Sequence, residues 1–155
     1  MLQLQDEAFE ELGDPSLLRR NSPAMLRACL CGPHFVLGAW AQEGVLAAFS
    51  VLYFPMDQAD DLSLLLEGVD LAGRCAANNK LCIVHRPFRG NGLQLSLGWG
   101  LEREAYQRGV RVLCSTASPH NAASCSSLLK QGYLLNRRLR LYEGEMERNL
   151  YVKEL

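Results

Sequence analysis

The stretch that decides the fold covers residues 81–109 and reads LCIVHRPFRGNGLQLSLGWGLEREAYQRG. Its first four residues are apolar and suit a buried strand. The segment after Gly92 has the spacing of an amphipathic helix, and Gly109 ends it. Between the two segments lies a glycine turn, residues 89–92, with the sequence RGNG. The sequence therefore predicts a strand, a tight turn and a helix in direct succession.

A helix that begins directly after such a turn can bind a phosphate. Its first N–H groups have no partner within the helix and lie at the positive end of the helix dipole. Gly90 and Gly92 lack a Cβ atom, which lets the backbone approach an anion closely. The dinucleotide fingerprint needs a glycine where this chain has Leu95, and the Gly-Lys-Ser/Thr sequence of the nucleotide P-loop is missing. We therefore expect a phosphate-bearing cofactor of another class.

Composition narrows the class of protein. The chain has 155 residues, of which 48% are hydrophobic and 21% charged, so we expect one globular domain over residues 1–155. A formal net charge of −1 gives no basic field, so neither nucleic acid nor a membrane surface is expected as a partner. The acidic N-terminal segment is unlike a signal peptide, and the apolar run over residues 45–54 is too short to span a bilayer. We expect a cytoplasmic location.

The six cysteines indicate the redox state and a possible metal site. Without a signal sequence they are expected to be reduced thiols rather than a disulfide framework. Cys29, Cys31 and His34 are close enough in sequence to suggest metal ligands, but no second ligand pair follows at the spacing of a zinc site. We expect no metal.

The remaining elements follow from hydrophobic periodicity and from glycine, proline and serine positions. Further helices are predicted over residues 2–12, 22–32 and 118–132. Strands are predicted over residues 35–40, 45–54, 110–115, 133–142 and 149–153, the last two forming a hairpin with Glu143 and Gly144 in its connection. Residues 56–79 are expected to form a loop with a short helix. The strands on either side of the helix that follows Gly92 predict a parallel pair, whose ligands bind beyond the carboxyl ends of the strands.

The turn at residues 89–94 and the segment at residues 121–133 resemble, in sequence and in order, two motifs of the GNAT superfamily of N-acetyltransferases. Arg89, Gly92 and Gln94 occupy the positions of the family's acyl-CoA-binding turn, Arg/Gln-x-x-Gly-x-Gly/Ala, from which Gln94 departs. The family's next helix reads Asn-x-x-Ala/Ser and ends in Gly-Phe/Tyr, and its four positions are here Asn121, Ser124, Gly132 and Tyr133. The order of the predicted elements also fits, so the resemblance covers nearly the whole chain.

The resemblance implies both a fold and an activity. The fold would be α/β, with a central mixed β-sheet flanked by helices. The activity would be transfer of an acetyl group from acetyl-CoA to a primary amine of a small molecule or peptide, by direct attack of the neutral amine on the thioester. The family usually begins with a strand before its first helix, and we expect that strand to be lacking here. The oligomeric state stays open, a homodimer included.

The resemblance also implies which residues bind the cofactor. The backbone of Ile83, Val84 and His85 would pair with the pantetheine arm, as an added strand does. N–H groups along the glycine turn and the first helical turn would bind the pyrophosphate, and Asn121 would contact the pantetheine or thioester end. The implied cofactor-binding residues are Ile83, Val84, His85, Arg89, Gly90, Asn91, Gly92, Leu93, Gln94, Asn121 and Ser124. The N–H group of Val84 or His85 would stabilise the oxyanion.

Several of these residues have a second interpretation. His85 is the candidate base because its usual pKa lies near neutrality, but its side chain could simply line the cleft. Asn121 and Ser124 could equally form a helix cap. Asp57, Asp60 and Asp61 could attract a cationic amine or form a solvated loop. Many family members protonate the leaving thiolate with a tyrosine at the position of Leu128. The alternative is therefore a non-catalytic module that binds acyl-CoA or a partner.

Overall fold

The computed structural model describes residues 1–142 and 146–155, so the predicted connection at Glu143 and Gly144 lies outside the described residues. The α-helices in this part are α1 Leu2–Leu12, α2 Pro23–Cys31, α3 Leu93–Gln107 and α4 Ala122–Lys130. The strands are β1 Phe35–Trp40, β2 Leu46–Tyr53, β3 Cys75–Val84, β4 Val110–Ala117, β5 Leu134–Leu141 and β6 Met146–Glu154.

The six strands form one mixed sheet in the order β1-β2-β3-β4-β6-β5. The central pair, β3 and β4, is parallel and is joined by α3, as the sequence predicts. The other described pairs are antiparallel. The predicted α/β class with a central mixed sheet flanked by helices is therefore confirmed.

Helices cover both faces of the sheet. On one face, Leu101 of α3 and Leu128 of α4 pack into a core with Leu52 and Leu113 of the strands. On the other face, α1 and α2 contribute Leu4, Ala8 and Cys29 to a core with Phe49, Val51 and Ile83. The sheet is therefore the middle layer, and a ligand can reach its centre only where the strands separate.

The start of β3 differs from the prediction. Residues 75–79, expected in a loop, form the first half of this strand together with Lys80. Their sequence, CAANNK, is rich in small and polar residues that strands disfavour. Here they are held by ladders to β2 on one side and to β4 on the other. Tertiary pairing thus overrides local propensity.

β3 and β4 separate beyond Asn78. The parallel ladder covers residues 75–78 of β3 and goes no further along the described strands. Between Lys80 and Ile83 the register against β2 shifts by one residue, because three steps of β3 lie opposite two steps of β2. Leu81 sits at this β-bulge with a φ of 59°. A bulge bends its strand and increases the local twist, which turns the end of β3 away from β4 and opens a gap.

Candidate functional site

A cavity of about 660 Å³ extends from the glycine turn into the gap between β3 and β4. This volume lies within the range of roughly 300–1,000 Å³ that is usual for ligand pockets. One end is lined by the glycine turn and by the starts of α3 and α4. The other end, called here the inner end, is lined by residues 17–19 and 78–80 and by Ala59, Asp60, Leu62, Leu65, Tyr142 and Arg148.

The glycine turn presents unpaired backbone N–H groups to this cavity. Gly90 and Gly92 have φ values of 83° and 71°, a conformation that other residues adopt only with strain. Gly92 is the N-cap of α3, and no side chain of the described residues caps the helix. Within the described part of the chain, the N–H groups of residues 90–94 donate to no protein acceptor. They are therefore available to an anion, as the sequence predicts.

Arg89 is tied into the protein instead. Its backbone N–H donates to the Arg86 carbonyl at 3.1 Å. Its Nε donates to the Val84 carbonyl at 3.0 Å, and its Nη2 donates to Glu11 Oε2 at 2.8 Å. These bonds count against the prediction that the Arg89 N–H binds pyrophosphate. Asn91 Nδ2 donates to the Phe88 carbonyl at 3.1 Å, and this hydrogen bond stabilises the conformation of the glycine turn.

The backbone of β3 directs fewer free hydrogen-bonding groups into the gap between β3 and β4 than predicted. The His85 N–H donates to the Ala47 carbonyl of β2 at 2.8 Å. Since hydrogen bonding alternates along an antiparallel strand, the backbone of Ile83 also points to β2, whereas that of Val84 points into the gap. This geometry counts against pairing of the Ile83 and His85 backbones with pantetheine, which stays a prediction. The Val84 carbonyl accepts from Arg89, so the N–H of Val84 is the group that remains for a ligand.

The His85 side chain lies on the α1 side, away from the cavity. Its Nε2 is 3.6 Å from Glu7 Oε2, and its ring centroid is 5.8 Å from that of Phe88. Among the residues that the structure describes, those lining the cavity include Val84 and Phe88 but not His85. This geometry counts against His85 as the catalytic base.

The second motif lines the cavity through the start of α4. Asn121 Oδ1 accepts the Ser124 N–H at 3.1 Å, so the helix-cap interpretation is confirmed. Both residues also line the cavity, and their contact with a cofactor stays a prediction. Leu128 is 4% exposed and lines the cavity, so the position of the family's tyrosine offers no hydroxyl.

Sequence reasoning missed Tyr142. Its hydroxyl lies 3.5 Å from Thr116 Oγ1 near the end of β4, and both residues line the cavity. In the described part of the chain, Tyr142 is the tyrosine that lines this cavity. The two residues are 26 positions apart and meet because β5 and β6 fold back on β4, so no local pattern could have found the pair.

Lys80 and Asp60 lie together at the inner end. Lys80 Nζ is 3.7 Å from Asp60 Oδ1 and 4.4 Å from the centroid of the Tyr53 ring. Burial lowers the pKa of Lys80, because the charged form loses hydration. The Tyr53 hydroxyl donates to Asp60 Oδ2 at 3.0 Å. Burial and this hydrogen bond raise the pKa of Tyr53 to about 12, so its hydroxyl keeps its proton at neutral pH.

Two arginines add positive charge at the inner end of the cavity. The Arg19 guanidinium lies 3.9 Å from the centroid of the Tyr142 ring. Arg148 is 3% exposed, and its Nη1 donates to the Ser16 carbonyl at 2.6 Å. Burial lowers the pKa of Arg148 as well. The sequence placed Arg148 in no site, because its partners come from a distant loop.

The suggested metal ligands are dispersed in the structure. Cys29 is buried and Cys31 exposed. His34 Nδ1 accepts the Phe54 N–H at 3.1 Å. Over residues 1–142 and 146–155, no three His, Cys, Asp or Glu side chains are grouped as metal ligands. Nor does any helix in these ranges have the length and apolar character needed to cross a membrane.

Comparison with known proteins identifies the fold. No protein-family model matches the chain, and no curated protein sequence does. Among solved structures, a ribosomal-protein-alanine N-acetyltransferase from Brucella melitensis has a TM-score of 0.63 and 23% identity, covering 85% of this chain and 75% of that one. A GNAT-family acetyltransferase from Listeria monocytogenes has a TM-score of 0.62 and 18% identity, covering 99% and 85%.

A third similar structure contains a ligand. It is an acetyltransferase from Bacillus subtilis in complex with CoA, with a TM-score of 0.63 and 14% identity, covering 86% of this chain and 84% of that one. At these identities the likeness concerns the fold. The chain has the fold of GNAT N-acetyltransferases, as the two sequence motifs predict.

Proposed function

We propose that the chain is an acyl-CoA-dependent N-acetyltransferase of the GNAT superfamily, which transfers the acetyl group of acetyl-CoA to a primary amine. The observation that carries this proposal is the row of unpaired N–H groups at residues 90–94, at one end of a cavity that continues between two parallel strands. The solved neighbours add support, since they are acetyltransferases and one of them contains CoA.

The residues present fit a cofactor with a diphosphate. Five successive N–H groups lack an acceptor among the described residues, and at the positive end of α3 they provide fixed positive partial charge without a basic side chain. Residues 90–94 would bind the diphosphate, and the Val84 N–H would donate to the acyl part. Asn121 and Ser124 would contact the pantetheine arm from the other wall. When bound, acetyl-CoA supplies an activated acetyl thioester.

Side chains of the protein would take up and supply the protons of the reaction. In the transfer an N–C bond forms as the C–S bond breaks, the amine loses a proton and the thiolate gains one. A lysine-like amine has a pKa of about 10.4, so only about one molecule in a thousand is neutral near pH 7.4. Asp60, the carboxylate among the described cavity-lining residues, would hold the amine and take its proton through water. Tyr142 would protonate the thiolate.

One observation favours a second function. Leu128 replaces the family's usual acid, which suits a module that binds acyl-CoA without turnover. Two measurements separate the functions: unfolding temperature with acetyl-CoA, and thiol release from acetyl-CoA with a panel of amines. Cofactor at 100 times its dissociation constant should add about 2.7 kcal/mol to the free energy of unfolding.

For the enzyme we expect this stabilisation together with thiol release that depends on an added amine. Tyr142→Phe should keep the stabilisation and lose at least tenfold in turnover. Stabilisation with no turnover across small amines, polyamines and peptides would favour the module. No stabilisation at saturating cofactor would overturn both functions.

A further inference from the structure

The inner end of the cavity carries an excess of positive charge. Three cations line it, Arg19, Lys80 and Arg148, against one carboxylate among the described lining residues, Asp60. The cations come from the α1–α2 connection, from β3 and from β6, so the fold gathers them from distant parts of the sequence. They are therefore not a charged run on a solvated face.

Two of these cations, Lys80 and Arg148, are largely buried, at a cost that the protein offsets only in part, whereas Arg19 is half-buried. The Lys80 side chain is 16% exposed and Arg148 is 3% exposed. Removing such an ion from water costs several kcal/mol unless it is paired. Asp60 already accepts the Tyr53 hydroxyl, and its 3.7 Å separation from Lys80 exceeds the roughly 2.7–2.9 Å of a direct charge-assisted hydrogen bond. A ligand anion at this end would offset the remaining charge.

A buried oxygen beside Asp60 needs a donor. Asn78 is 3% exposed and lines the cavity, and its Oδ1 has no hydrogen-bond partner among the residues that the structure describes. Its Nδ2 donates to the Asp60 carbonyl at 2.7 Å, which fixes the orientation of the amide. Buried polar atoms are nearly always hydrogen-bonded, so an unpartnered oxygen here indicates a site for an N–H donor.

We propose that the acceptor is an amine that also carries a carboxylate, as a free amino acid does. Lys80, Arg19 and Arg148 bind the carboxylate, while Asp60 and Asn78 Oδ1 receive the amine. Leucines from two segments line the same end and contact the carbon chain of the acceptor: Leu17, Leu18, Leu62 and Leu65. This inference rests on the proposed function and names the class of its acceptor.

The test uses free amino acids and their amides as matched acceptors, since the amide keeps the amine and removes the negative charge. For the wild type, kcat/KM should be at least tenfold higher for the acids than for the amides. Lys80→Met should abolish this preference by lowering kcat/KM for the acids, whereas Lys80→Arg should keep most of it. Arg103→Met removes an exposed cation of α3 outside the cavity and should leave the preference unchanged.

Binding is measured in parallel, through the rise in unfolding temperature caused by each acceptor with acetyl-CoA present. Stabilisation by the acids and not by the amides supports the proposal even if turnover is slow. Equal use of acids and amides, a preference for amides, or no response to either overturns it. The proposed function stands in those cases if acetyl-CoA alone still stabilises the protein and other amines are acetylated.

Discussion

Two contacts hold the His34 side chain against β2 and the residue that follows it. Its ring stacks on Tyr53 with centroids 4.2 Å apart, and its Nδ1 accepts the Phe54 N–H. Burial and the nearby Lys80 charge lower the pKa of His34, and Asp60 opposes them. The folded protein therefore holds His34 neutral, because a proton on Nδ1 would break its bond to Phe54.

Stability should consequently depend on pH through His34. Since the folded pKa of His34 lies below the ordinary histidine value of about 6.5, the unfolded chain takes up the proton first as the pH falls. This contribution to stability is present above about pH 6.5 and is lost as the pH falls through the folded value. His34→Asn supplies an oxygen in place of Nδ1 and does not titrate. Its unfolding temperature should fall less than that of the wild type between pH 7 and pH 5, and parallel slopes would contradict the assignment.

The sequence predicts some residues well because their chemistry is local. Gly90 and Gly92 adopt positive φ, and Asn121 caps α4, since each role depends on the residue itself and its immediate neighbours. Leu81 also has positive φ, which costs about 1–3 kcal/mol and which no propensity of leucine indicates. Tertiary pairing imposes it. The role of Tyr142 could not be predicted for the same reason, because its position in the cavity depends on long-range pairing of β5 and β6.

Among the elements, α3 shows how closely a helix can pack. Gly98 is buried, and a Cβ atom there would lie 1.8 Å from Gln131 Oε1 of the α4 C-cap. Gln131 is 4% exposed and its Nε2 donates to Ser127. The contact between α3 and α4, which brackets the cofactor end of the cavity, thus depends on the missing side chain.

Gly98→Ala tests this contact. Alanine improves helix propensity by about 1 kcal/mol, but overpacking against Gln131 costs about 1–3 kcal/mol. We expect a net loss of up to about 2 kcal/mol, measured by urea unfolding. Ser96→Ala is the matched control, because Ser96 is an exposed position of the same helix and the change should stabilise by a few tenths of a kcal/mol. An equal gain in both variants would contradict tight packing at Gly98.

Some boundaries of the elements are set by local residues and others by distant strand pairing. Glycines at 92 and 109 delimit α3 where the sequence predicts, because caps are short-range features. The beginning of β3 and the full extent of β6 were not predictable in this way. Their residues are mixed in polarity, and their strand conformation comes from neighbours far away in the sequence.

At the level of the whole molecule, one topological feature creates the site. The parallel pair β3 and β4 is short, the bulge at Leu81 separates its ends, and the helix that follows the turn aims its first N–H groups at the opening. The sequence predicts the place of this opening from strand order and the glycine turn. The positive inner end requires the folded sheet, since Arg19, Lys80 and Arg148 are distant in the sequence.

The most direct test of the account is a titration of ¹⁵N-labelled protein with acetyl-CoA, followed by amide ¹H–¹⁵N spectra. The largest shifts should occur at residues 90–94, with a further change at Val84. Pantetheine, which lacks the diphosphate, should leave the signals of residues 90–94 nearly unchanged. Unchanged signals from these residues at saturating acetyl-CoA, or the largest changes on another surface, would contradict the account.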